Sequence, residues 1–215
     1  MKKFLIFFFI FFLSTSIFQQ LFSKNKNLKE SLGCTNDLTK DLFLRGDNLP
    51  IKKIEIDTHK YRDWVVNNIK IITSNTRFVP NILKKKFNST IKVTYDGGDY
   101  CILTGRVRHS GDAKDHIALK GNSIIQSLDI SLNYGNIKGI TKFKLFKPDV
   151  RGVLDDVLIQ TQLLRDFGYL APRSYKVEAR VNQMNSVMLF QEKAAKELLE
   201  FNKRREAPIL EGDQE

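Results

Sequence analysis

An α+β fold, an antiparallel sheet with packed helices, is what this sequence predicts, and three observations predict it. Stretches of alternating apolar and polar residues recur from Ile51 onward. Asp96-Gly97-Gly98-Asp99, a strong hairpin signal, separates two of them. One later stretch, Val153–Phe167, instead repeats its apolar residues at helical steps of three and four.

The elements follow in order. Met1–Ser23 opens with Lys2 and Lys3 and then runs from Phe4 to Leu13 without a polar residue. This is the pattern of a signal peptide or an uncleaved N-terminal membrane anchor, so the rest of the chain is expected outside the cytoplasm. Residues 24–90 read as a basic arm and linker with a short strand and helix. Ile51–Asp57 alternates as a half-buried strand, and His59–Ile72 suits a helix with Trp64, Val65, Ile69 and Ile72 on one side.

From Ile91 the strands crowd together. Ile91–Tyr95 and Tyr100–Arg108 flank the hairpin turn, and Ser127–Leu132 and Thr141–Phe146 flank a turn at Asn133–Gly139. The helix Leu154–Phe167 carries Asp155 and Asp156 in its first turn, where the helix dipole favours acid, and Gly168 ends it. Its apolar stripe (Val153, Leu154, Val157, Leu158, Thr161, Leu164 and Phe167) is expected to pack on the sheet. Strands at Ser174–Val181 and Ser186–Gln191 follow, then a helix at Glu192–Asn202 with Ala194, Ala195, Leu198 and Leu199 inward.

Charge narrows the partners. The formal net charge is +11, of which residues 24–90 contribute +7 and residues 151–215 contribute −1. Lys24, Lys26 and Lys29, directly behind the apolar leader, suit an anionic membrane surface. Nucleic acid is not expected, because an export signal argues against it. Cys34 and Cys101 belong to no C-x-x-C pair, which leaves one long-loop disulfide or two buried thiols.

Glycine-rich phosphate loops, H-E-x-x-H and the nucleophile elbow do not occur, and no histidine has a partner at metal-ligand spacing. No metal ligand is assigned. The candidate binding residues are basic. Arg106 and Arg108 share one face of a strand, where paired guanidiniums hold a phosphate or simply keep a sheet edge soluble. Lys142 and Lys144 flank Phe143 and share a face in the same way. Glu192 stands at a strand-to-helix junction, a common place for ligands.

The segment L-L-R-D-F-G-Y-L-A-P-R-S-Y-K-V-E-A-R-V-N, followed by V-M-L-F-Q-E, resembles the CotH family of spore-coat kinase-like proteins. Leu164, Gly168, Pro172, Arg173, Val181, Asn182 and Glu192 match the family pattern in order, while Gln126 and Gln183 depart from it. The resemblance implies a fold like a protein-kinase small lobe across residues 91–215, with ATP and Mg as cofactors. It implies phosphoryl transfer to a surface or secreted protein. Arg106, Arg108, Lys142 and Lys144 would flank the nucleotide, and Glu192 would stand at the hinge. The family's catalytic aspartates are expected downstream of Glu215, so the chain is read as the N-terminal part of such a protein. The alternative, of a different class, is a non-catalytic, membrane-tethered binding or structural module whose sheet contacts envelope components.

Overall fold

The computed structural model describes residues 33–34, 50–121, 123–150, 152 and 154–209. The leader Met1–Ser23, residues 24–32 and 35–49 of the basic arm (with Lys24, Lys26 and Lys29) and the final residues lie outside these. The described fold belongs to the unit Cys34–Glu215.

Cys34, in the two-residue strand β1 (Gly33–Cys34), is joined by a disulfide to Cys101. Seven longer strands form the body: β2 (Ile51–Thr58), β3 (Phe87–Tyr95), β4 (Tyr100–His109), β7 (Leu128–Tyr134), β8 (Lys142–Phe146), β9 (Ser174–Val181) and β10 (Met184–Glu192). Two short strands, β5 (Ile117–Lys120) and β6 (Ser123–Gln126), make a separate hairpin. The helices are α1 (Tyr61–Thr73), α2 (Leu154–Asp166) and α3 (Lys196–Phe201).

The seven strands pair in the order β4-β3-β2-β9-β10-β8-β7, and β7 then pairs back onto β4, so the sheet closes into a barrel. This corrects the expected α+β architecture resembling a kinase small lobe. The sheet is not an open layer with helices packed on it but a tube whose core is its own lumen. Closure depends on one parallel pair, Lys53–Ile56 of β2 beside Glu178–Val181 of β9; the other pairings of the barrel are antiparallel.

Strand alternation fills the lumen. Cys101, Leu103, Gly105, Val107 and His109 of β4 are buried, whereas Arg106 between them is exposed. Phe143 stacks on Phe190 at 4.6 Å near the centre. Gly105 has no room for a side chain: a Cβ there would come within 2.8 Å of the Ser131 carbonyl and 3.1 Å of Ile91. At the parallel seam, Asn182 takes a left-handed φ of 53°. Its Oδ1 accepts hydrogen bonds from the Thr58 amide and hydroxyl at 2.9 and 3.0 Å, and its own amide donates to Ile56 at 2.7 Å. A short amide side chain tolerates this conformation while bonding locally.

Elsewhere the structure shifts the expected elements. β3 begins at Phe87, so the division expected after residue 90 falls inside a barrel strand. Helix α1 buries Trp64, Asn67, Asn68 and Ile71, whereas Ile69 is exposed. Its face is thus rotated from the expected one, and Trp64 meets Phe87 edge-on at 5.2 Å. Helix α2 forms as expected, but Thr161 is its only buried residue; Leu164 and, just past its end, Phe167 of the expected stripe are exposed, as are Ile159 and Leu163. Strand β10 runs through Glu192, so the last helix starts later than expected, at Lys196.

Candidate functional site

The strand register brings four predicted residues to one place. Arg106 lies opposite Ser131, and Ser131 opposite Lys142. In the next outward-facing row, Arg108 lies opposite Asp129, Asp129 opposite Lys144, and Lys144 opposite Gln191. Neighbouring strands sit about 4.8 Å apart and successive outward positions about 7 Å apart. Arg106, Arg108, Lys142 and Lys144 therefore share a small patch on the outer wall of the barrel, across β4, β7 and β8.

Asp129 sits at the centre of that patch, and its side chain is only 7% exposed. Arg108 donates to its Oδ2 through Nε at 3.0 Å and Nη2 at 2.7 Å. Lys193 Nζ approaches both carboxylate oxygens at 3.1–3.2 Å. Burial pushes the Asp129 carboxyl up, but the Arg108 and Lys193 contacts outweigh it and hold the group below the ordinary aspartate range. One buried carboxylate thus organises two of the five cations. Arg106 has no hydrogen-bond or ion-pair partner among the described residues and is exposed, and Lys142 is exposed as well. The patch keeps a positive excess.

Glu192 is placed elsewhere. It pairs across the sheet with Phe143, whose side chain fills the lumen, and its own side chain is 1% exposed. Arg173 grips it in a fork, Nη2 to Oε1 at 2.7 Å and Nε to Oε2 at 2.8 Å. The remaining Nη1 donates to the Lys138 carbonyl at 2.8 Å, and the guanidinium stacks over Phe201 at 4.1 Å. Both carboxylate oxygens are engaged in holding that end of the barrel.

The residues suit some ligands and not others. Exposed guanidinium and ammonium groups on a rigid wall suit phosphate or carboxylate. They do not suit magnesium: among the described residues no cluster of three or more His, Cys, Asp or Glu side chains could hold a metal ion, and Asp129 is already paired. No step through ATP-magnesium follows from this geometry.

Two members of the patch escaped the sequence reading. Lys193 follows a strand directly and looked like the opening of a helix. Asp129 was legible in principle, because in S-L-D-I-S-L the aspartate shares its outward parity with Ser131.

Compared with known proteins, the chain matches no family model and no curated protein sequence.

Proposed function

We propose that this chain is an exported, non-catalytic binding module whose basic barrel face docks on an anionic surface, with lipid phosphate headgroups as the chemistry it meets. The observation that carries the reading is the convergence of Arg106, Arg108, Lys142, Lys144 and Lys193 on two adjacent rows, with Asp129 buried among them. Rigid strands hold the charges in place, so little side-chain order has to be gained on binding beyond the long side chains themselves. Two further features agree with it. The Cys34–Cys101 disulfide suits an oxidising compartment, and the apolar leader followed by lysines suits a chain held near a membrane.

Co-sedimentation of the full-length chain with phosphatidylcholine vesicles, with and without phosphatidylglycerol, tests the reading. Parent and Arg106→Glu/Lys142→Glu variant share the same leader, so their difference isolates the face. Binding should rise with phosphatidylglycerol and fall with salt, and each lost charge should weaken it by about 1 kcal/mol, roughly fivefold. Binding that ignores lipid charge, salt and the double substitution overturns the reading. Magnesium-dependent ATP binding lost in the same variant would put the nucleotide reading ahead.

A further inference from the structure

The basic face runs into a cleft. Between the outer wall of β8 and β10, helix α3 and the segments on either side lies a cavity of about 490 Å³, within the range of small-ligand sites. Leu170, Pro172, Ala194, Leu198, Leu199 and Ile209 make its walls. Leu198 and Leu199 are buried beneath it, while Leu170 and Ile209 remain partly open to solvent. Its polar rim is formed by Lys144 and Lys193 together with Gln191. Glu192 also borders it, but that carboxylate is engaged by Arg173. Lys144 Nζ lies 5.9 Å from the Phe146 ring centroid and helps to lower the pKa of Asp112, with no salt bridge of its own among the described residues, and Lys193 shares Asp129 with Arg108.

A cleft walled mainly by apolar side chains and bordered by two lysines is complementary to one chemistry: a hydrocarbon tail ending in an anion. The tail displaces water from leucine and proline side chains, and the anion meets the lysines where they are part-desolvated by the wall. A neutral amphiphile would gain the first contribution and not the second. An inorganic anion would gain the second and not the first.

We infer that this cleft binds the acyl chain of a single-chain anionic amphiphile, with its head group between Lys144 and Lys193. The inference rests on the reading of the basic face as an anion-binding surface and names the ligand class at one edge of it.

The test uses the full-length chain in neutral phosphatidylcholine vesicles and a fatty acid carrying a diazirine in its tail. The methyl ester of the same probe serves as the uncharged comparison. Irradiation followed by peptide mass spectrometry should place the label on the peptides holding Leu198, Leu199 and Leu170, and the acid should label them far more than the ester. Removing one charge-assisted contact with Lys144→Ala should raise the half-saturating probe concentration about tenfold. Ala194→Trp and, separately, Leu170→Trp should fill the cleft and abolish the label. Their melting curves should match the parent, and salt-dependent binding to phosphatidylglycerol vesicles should persist. Equal labelling by acid and ester overturns the inference. So does label confined to the outward apolar residues of α2, or label retained in both well-folded tryptophan variants. Any of these with charge-dependent vesicle binding intact overturns the cleft alone; loss of that dependence in the parent overturns the reading beneath it.

Discussion

Arg173 and Glu192 form a buried ion pair at one end of the barrel, 2.7 Å between Nη2 and Oε1. Both belong to the motif that resembles the CotH family, and the structure joins them in a buried fork with side chains 3% and 1% exposed. Removing one partner strands the other charge in the lumen's wall. Glu192→Gln should therefore cost about 3–5 kcal/mol in urea unfolding, whereas Arg173→Leu/Glu192→Leu should recover much of that loss. Equal destabilisation by the single and double variants would mean that the pair's other contacts, to the Lys138 carbonyl and Phe201, dominate. His109 makes a second residue-scale prediction. Its Nδ1 lies 3.1 Å from Gln126 Oε1, and its Nε2 is buried without a partner among the described residues. Burial is the main cause that pushes its pKa down, to about 4; nearby His116 and Lys84 push the same way, while Gln126 and Asp112 oppose them. The folded state thus disfavours the imidazolium that the unfolded chain accepts near pH 6.5. Stability is whole above about pH 6.5, falls as pH drops, and has lost about 3 kcal/mol by pH 4. In His109→Gln this part of the pH dependence should be missing from thermal melts taken across that range.

At the scale of elements, local signals served well and facing did not. Asp96–Asp99 turns β3 into β4 as the two glycines demand, with φ near +100° and +90°. The outward parity of Arg106 with Arg108, and of Lys142 with Lys144, was readable because a strand alternates strictly. Helix α2 was readable as a helix, but which side it buries was not. Its apolar residues span more than one face, and only the surroundings choose among them. The structure sets Leu158 half-buried and leaves Ile159 60% exposed. Leu158→Asp should then cost about 1–3 kcal/mol, while Ile159→Asp should stay within about 0.5 kcal/mol of the parent. Denaturant midpoints of the two variants decide the orientation; a reversed order would mean that α2 is turned about its axis.

At the scale of the whole molecule, closure was the part that local periodicity does not encode. The seam joins β2 to β9, more than 120 residues apart in sequence, through Asn182 and Thr58, and a parallel pair carries no hairpin signal of its own. The same holds for the pairing of β10 with β8, which passes over β9 and completes a ring from strands that otherwise pair with their neighbours in sequence. For that reason the seven barrel strands are legible in the sequence, though not their closure, and the short β5–β6 hairpin is not. The cysteines are another long-range constraint, and the sequence left their pairing open. With Cys34 bound to Cys101, a loop of 67 residues is closed in the unfolded chain as well as the folded one. On the chain-entropy account this stabilises the fold by about 4 kcal/mol. For a domain of this size, reduction should lower the melting temperature by roughly 10 °C. Cys34→Ser/Cys101→Ser should show the same loss and no longer respond to reductant. Because Cys101 is fully buried in the barrel wall, the double variant also probes packing at that position. Cys34→Ser alone, which leaves the Cys101 thiol in place, should lose as much stability as the double variant if the cross-link is what matters. A single variant that melts like the parent would show that the loop closure contributes nothing and that β4 holds its place by strand pairing alone.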